Sequence, residues 1–388
     1  KIGILDFGGQ YAHLIASRVR RLGALAVIVD PETLTPSQAR TEFAGIIYSG
    51  GPSSVYEPGA PSCDPALLSA GLPVLGICYG HQLMMQQLGG EVVAGSPEFG
   101  RASLLVQKQE AILAGESGRA ASVWMSHGDE VVRLPDGFEV IGQTDDCRYA
   151  AVWNPERRLT GVQFHPEVTH TEHGDNYLKN FIKMCGVSDS YSLRDFLSAA
   201  EASMRLHTGE RNVFFLLSGG VDSTVAFSML SRVLPPDRLY GLYVNTGFMR
   251  KGESEEVKAA LAAHGIELHV EDASDRYFAK LAGVTDPEKK RAIIGDLFLE
   301  IQAEVSERLG LDPERWILGQ GTIYPDTIES GGTKKSHLIK THHNRVPAIQ
   351  RLIEQGRIVE PIRDLYKDEV RAVGQMLGLP DALVFRHP

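Results

Sequence analysis

Short apolar runs separated by Gly- and Pro-bearing turns dominate the first half of the chain. Ile2–Leu5, Ala26–Val29, Gly45–Tyr48 and Val74–Ile77 are runs of strand length. Helical patterns lie between them at Tyr11–Leu22 and Asp64–Ala70. Such alternation predicts a parallel sheet with right-handed crossovers. Phe138–Gly142, Ala150–Trp153 and Leu159–Phe164 follow at short spacing, as antiparallel additions, and a helix at Asn176–Met184 closes the domain. The polar stretch Val187–Ser190 reads as a linker, so the predicted domains are 1–186 and 191–388. A helix at Tyr191–His207 then opens a second series. Its strands are Asn212–Leu217, Arg238–Val244, Ile266–Val270 and Trp316–Gly319; its helices are Val221–Leu234, Glu253–His264 and Pro287–Leu309. The fold class is α/β, two domains, each on a largely parallel sheet with flanking helices.

Composition narrows the classes. A chain of 388 residues exceeds what one core usually serves, and 43% apolar with 23% charged residues is ordinary for a folded soluble protein. Net charge is −10, and neither half is basic: 14 basic against 20 acidic residues to position 186, then 25 against 29. That argues against a nucleic-acid partner. The four cysteines, Cys63, Cys78, Cys147 and Cys185, form no Cys-x-x-Cys spacing, which points away from zinc and toward a reducing, cytoplasmic setting. The N-terminus carries no signal-like apolar region, and no stretch approaches the roughly 20 apolar residues of a membrane helix.

Candidate chemistry lies at the strand ends. Gly76-Ile-Cys78-Tyr-Gly80 joins an apolar strand to a helix expected at Gln82–Leu88. Flanking glycines permit a sharp turn that exposes a nucleophile, and a helix N-terminus favours a thiolate. An isolated cysteine there is more often structural, but Gly161-Val-Gln-Phe-His165-Pro-Glu167 adds a base and a carboxylate to orient it. Asp6-Phe-Gly-Gly-Gln, Ser49-Gly-Gly-Pro52, Cys78-Tyr-Gly-His-Gln82 and Phe164-His-Pro-Glu167 together resemble the class I (triad) glutamine amidotransferases over residues 1–186. The resemblance implies that Cys78, His165 and Glu167 hydrolyse the glutamine side-chain amide. It also implies an oxyanion hole at Gly51 and Tyr79, and a glutamine pocket shaped by Gln82, Ser126, His127 and Asp129.

The second half carries Phe214-Phe-Leu-Leu-Ser218-Gly-Gly-Val-Asp-Ser223, a strand, a Gly-rich turn and a helix start. Successive N–H groups in such a turn cradle phosphate, and no Walker lysine is present. This stretch resembles the pyrophosphate loop of the N-type ATP pyrophosphatases, which implies ATP contacts from Ser218, Gly219, Gly220, Val221, Asp222, Ser223, Thr224 and Val244, with Mg²⁺ brought with ATP at Asp222. The loop alone leaves the acceptor open among NAD, asparagine, argininosuccinate and tRNA-thiolating enzymes. A triad domain ahead of the loop, the lid-like 285–300, and Gly319–Ser330, Ile339–Asn344 and Lys367-Asp-Glu-Val-Arg371 together resemble the GMP synthetase family. That implies glutamine, ATP and XMP as substrates, with XMP contacts among Arg291, Gln320, Gly321, Thr322, Pro325, Lys340 and His343. It also implies a homodimer formed through a further C-terminal domain beyond Pro388. Two positions depart from the family pattern: His81 where a Met is expected, and Asn245 where an Asp is expected.

Overall fold

The computed structural model describes residues 1–116, 120–187, 191–250, 252–263, 265–312, 314–326, 351–352 and 354–385. They divide into two compact units, Lys1–Ser192 and Leu193–Pro388. The first unit carries strands β1 (Ile2–Leu5), β2 (Ala26–Val29), β3 (Gly45–Tyr48), β4 (Val74–Ile77), β5 (Glu91–Val106), β6 (Ala121–Arg133), β7 (Glu139–Gln143), β8 (Ala151–Asn154) and β9 (Leu159–Val162). Its helices are α1 (Ala12–Arg21), α2 (Pro36–Glu42), α3 (Tyr79–Gln87) and α4 (Gly174–Met184). The strands form one sheet in the order β2-β1-β3-β4-β9-β8-β7-β5-β6, parallel from β2 to β9 and antiparallel beyond.

The parallel part explains the unbroken apolar runs. Every residue of β1, β3, β4 and β9 is buried, because both faces are covered. The antiparallel β6 instead alternates buried and half-buried positions. The long β5–β6 pair was not among the predicted strands. Gly95, Pro97 and Gly100 interrupt β5, and its pairing slips between Ala94 and Glu98. The predicted helix at 64–70 is a 3₁₀ turn, Pro65–Ser69, capped by Asp64. Helix α2, also unpredicted, starts at a capping box between Thr35 and Gln38 with Pro36 at its first position.

The second unit carries β10 (Asn212–Leu217), β11 (Leu239–Asn245), β12 (His269–Asp272), β13 (Trp316–Gly319) and β14 (Ile358–Val359). Its helices are α5 (Leu193–Thr208), α6 (Val221–Ser231), α7 (Glu253–Ala262), α8 (Ser274–Leu281), α9 (Pro287–Leu309), α10 (Lys367–Met376) and α11 (Asp381–Val384). All five strands are parallel, in the order β12-β11-β10-β13-β14. Along β10, Val213, Phe215 and Leu217 enter one core cluster with α6 and α10, while Phe214 enters another with α9. Helices therefore cover both faces. From β10 the chain builds outward to β11 and β12, then returns to the other side for β13 and β14. That reversal opens a crevice at the carboxyl ends of β10 and β13, where such sheets bind ligands.

Candidate active sites

Cys78 leaves β4 and caps α3 with φ 51° and ψ −108°, a left-handed conformation rare for a residue with a side chain. The helix begins at Tyr79, earlier than the expected Gln82, so the sulfur stands directly at a helix N-terminus. Surrounding glycines make the turn possible. A Cβ on Gly80 would lie 2.3 Å from the Tyr48 carbonyl oxygen, and one on Gly76 would lie 2.8 Å from the Cα of His81. The turn is pinned by Cys78 N–H to the Val162 carbonyl at 2.8 Å and Gly80 N–H to the Ser49 carbonyl at 3.0 Å.

His165 lies three residues beyond β9, and its N–H donates to the Trp124 carbonyl at 3.0 Å. Its Nδ1 lies 2.7 Å from Oε1 of the fully buried Glu167. Thr171 donates its hydroxyl to the His165 carbonyl at 2.6 Å, and the Tyr11 ring meets the imidazole edge-on at 5.3 Å. Burial alone would hold the ring neutral, but the Glu167 charge and hydrogen bonds to Cys78 and Glu167 outweigh it and raise the His165 pKa. The fold thus brings thiol, imidazole and carboxylate together in one buried row. The Gly50–Gly51 turn closes over it: a Cβ on Gly50 would sit 3.2 Å from His165 Cε1, and one on Gly51 would sit 3.1 Å from the Tyr79 ring. Gly51 and Tyr79, the expected oxyanion donors, are therefore neighbours.

The pocket segment comes from β6. The Ser126 carbonyl lies 3.5 Å from Cys78 Sγ. His127 places Nδ1 3.0 Å from the Asp129 carbonyl and Nε2 3.3 Å from Glu98, whose carboxyl burial raises against the opposing pull of His127. Tyr56 donates its hydroxyl to the Asp129 carboxylate at 2.8 Å. Gln82 turns its amide inward, to the Asp129 carbonyl at 2.8 Å and to Gln163 at 3.2 Å. His81 is fully buried, and burial pushes its pKa down to about 3, so it serves as a neutral, packed side chain. Its ring fits only because residue 161 is glycine: a Cβ there would lie 2.1 Å from His81 Nδ1.

In the second unit, Ser218–Thr224 joins β10 to α6 at the crevice. Gly219 has φ +80°, and Gly220 caps the helix. The hydroxyls of Ser218 and Ser223 lie 3.2 Å apart, and Thr224 donates to the Gly220 carbonyl at 2.9 Å. Asp222 Oδ2 is 2.6 Å from Lys367 Nζ, at the start of α10, while Asp222 Oδ1 is buried without a hydrogen-bond partner among the described residues. The stretch after β13 lies against the same loop: a Cβ on Gly321 would sit 2.9 Å from the Ser223 Cα. Gln320 donates its N–H to the Val359 carbonyl at 3.0 Å, Thr322 is buried, and Pro325 follows Tyr324, whose N–H donates to Leu365. Val244 is buried near the end of β11, and Asn245 accepts from the Gly247 N–H at 3.0 Å in a local turn. Arg291 stands on an exposed face of α9, paired with Glu288. Lys340 and His343 lie outside the described residues. Among the described residues no cluster of three or more His, Cys, Asp or Glu forms a metal cage. The sequence assigns no role to Gln163 or Lys367, although Gln163 directly precedes the matched segment Phe164–Glu167 and Lys367 opens the segment Lys367–Arg371.

A family model described as Glutamine amidotransferase class-I matches residues 3–185, the stretch that builds the first site. A protein described as "Probable GMP synthase (glutamine-hydrolyzing)" from Leptospira interrogans is 50% identical over 392 residues, covering 100% of this chain and 64% of that protein. GMP synthases (glutamine-hydrolyzing) of Streptomyces coelicolor and Aquifex aeolicus are 46% and 43% identical, each covering 99% of this chain and 74% of theirs. The chain belongs to the glutamine-hydrolysing GMP synthase family. It spans 64% of the Leptospira relative's length.

Proposed function

We propose that the protein hydrolyses glutamine in its first unit and uses the ammonia in its second to aminate ATP-activated XMP, giving GMP, AMP and pyrophosphate. The observation that carries this reading is the buried row of Cys78, His165 and Glu167 in a chain 46% identical to a GMP synthase over 99% of its length. Glu167 holds His165, and His165 takes the proton of Cys78. The thiolate attacks the side-chain amide carbon of glutamine, and N–H groups of Gly51 and Tyr79 meet the oxyanion. His165 returns its proton to departing ammonia, and water then cleaves the glutamyl thioester to glutamate.

In the second unit, the N–H groups of Ser218–Thr224 at the positive end of α6 receive the ATP phosphates. The xanthine C2 oxygen attacks the α-phosphorus, pyrophosphate leaves, and ammonia displaces AMP. The unpartnered Asp222 Oδ1 suits Mg²⁺ carried in with ATP, since Mg²⁺ needs few protein ligands when phosphates supply the others, and the ion would neutralise phosphate charge. Gln320, Gly321, Thr322 and Pro325 stand at the crevice as XMP contacts, and Arg291, Lys340 and His343 remain in the same proposed set. The same reading carries a homodimer and a cytoplasmic setting; among the described residues no helix is long and apolar enough to cross a membrane. The test is pyrophosphate release with ATP, Mg²⁺ and glutamine, comparing XMP, UTP, nicotinate adenine dinucleotide and tRNA. Release with XMP alone supports the reading; release with another acceptor and not with XMP overturns it.

A further inference from the structure

We propose that Gln163 is a catalytic residue of the first site, donating its side-chain N–H to the sulfur of Cys78 in a direction locked by Gln82 and the Asp129 backbone. The proposal rests on the glutaminase reading above and names a group that reading does not use.

Gln163 lies directly after β9, two residues before His165, and is 1% exposed. Its N–H donates to the Ala150 carbonyl at 2.9 Å, which extends the strand and fixes the side chain's origin. The side-chain Nε2 then lies 3.6 Å from Cys78 Sγ, within reach of a hydrogen bond to sulfur. Its Oε1 lies 3.2 Å from Gln82 Nε2, and that same nitrogen lies 2.8 Å from the Asp129 carbonyl.

Chemistry decides which end of each amide faces which neighbour. A backbone carbonyl can only accept, so the NH₂ of Gln82 must face Asp129. The second hydrogen of that NH₂ needs an acceptor, which the carbonyl of Gln163 supplies. The NH₂ of Gln163 is thereby turned to the sulfur. Reversing either amide would set two donors or two acceptors against each other inside the fold, where unmet polar groups are costly.

A second polar neighbour of the sulfur makes that donor matter. The Ser126 carbonyl at 3.5 Å can accept from a thiol but repels a thiolate. A neutral donor to the sulfur offsets that repulsion without adding a charge that would compete with His165. His165, backed by Glu167, supplies the titratable partner of the same sulfur. Gln163 therefore holds the lone pairs of the sulfur in place while the imidazole handles the proton.

The test reads the thiol itself, in the full chain without glutamine. Iodoacetamide alkylation of Cys78 is followed by peptide mass spectrometry from pH 6 to about pH 10, a range that spans ordinary thiol titration. Burial raises the pKa of Cys63 and pushes those of Cys147 and Cys185 up to about 12, which keeps them slow. At neutral pH, Gln163→Met should slow alkylation about threefold and Gln163→Glu about tenfold. Unchanged profiles in a folded Met variant would overturn the proposal, including the case where glutaminase activity falls, since that would mark a merely structural role. Should the variants fail to fold, the side-chain ¹H–¹⁵N resonances of Gln163 decide: they should move on Cys78→Ala, and an unmoved pair would overturn the bond. A reactive Cys78 in a parent protein that releases no glutamate would instead sink the glutaminase reading and leave this one standing.

Discussion

Cys78, His165 and Glu167 are 6%, 4% and 0% exposed and already aligned, whereas the loop in the second unit spends its hydroxyls on itself. There Ser218 bonds Ser223, Thr224 bonds Gly220, and Asp222 is paired with a half-exposed Lys367. On the function proposed above, the contrast follows from the substrates. An uncharged amide cannot organise a nucleophile, so the geometry is built in, with backbone strain at Cys78 of order 1–3 kcal/mol held by the strands around it. The polyphosphate proposed for the second unit brings its own charge. Its site needs only internal hydrogen bonds of about 1 kcal/mol each that can be exchanged for stronger ones to the anion.

Crossed substitutions should break the two sites apart, and they carry the largest effects. Cys78→Ala should cut glutamine-dependent synthesis at least about 10³-fold while synthesis from ammonium chloride at high pH survives near the parent rate. Asp222→Ala should cut synthesis by about 10²–10³-fold with either nitrogen source and leave glutamate release at Cys78 in place. Assays of GMP and of glutamate on both variants check the pair. Glutamine use by Cys78→Ala would undo the first assignment, and ammonia-dependent synthesis by Asp222→Ala the second.

A smaller effect separates two histidines within the first unit. The His165 pKa is raised, so its favourable contribution is full below the ordinary value of 6.5 and is lost as pH rises above it. The His81 pKa is pushed down from 6.5 to about 3, so the folded state binds fewer protons than the unfolded one in between. Stability is then lost as pH falls through that window, at up to about 1.4 kcal/mol per pH unit. His81→Met should flatten this acid limb by one proton and leave the alkaline limb unchanged, as read from urea midpoints from about pH 4 to about pH 9. Equal acid slopes in parent and variant would show that His81 is not held neutral.

How far sequence reaches differs between the regions in the same way. The bounds of β1 to β4, β10, α9 and β13 coincide with the predicted runs, because buried parallel strands are simply apolar and α9 is bracketed by Asp286, Pro287 and Gly310. β12 sits later than the predicted 266–270. Ile266 and Leu268 are apolar because they pack in the core, and the Ile266 N–H closes the preceding helix on Leu261. That Cys78, His165 and Glu167 meet was legible because motif spacing encodes a turn and a strand end. Gln163 facing Cys78 across 85 positions and Lys367 reaching Asp222 across 145 depend on which strands and helices become neighbours. Local pattern carries no such information.

The most direct measurement of the central claim, that one chain generates ammonia at Cys78 and consumes it on an adenylated acceptor, follows nitrogen itself. Glutamine labelled with ¹⁵N in its side-chain amide is supplied with ATP, Mg²⁺ and XMP alongside unlabelled ammonium, and the product is read by mass spectrometry. The account predicts ¹⁵N in the exocyclic amine of GMP for the parent protein, and only ¹⁴N for Cys78→Ala. Labelled ammonia accumulating in solution with no labelled GMP, or label reaching GMP in the Cys78→Ala variant, would contradict it.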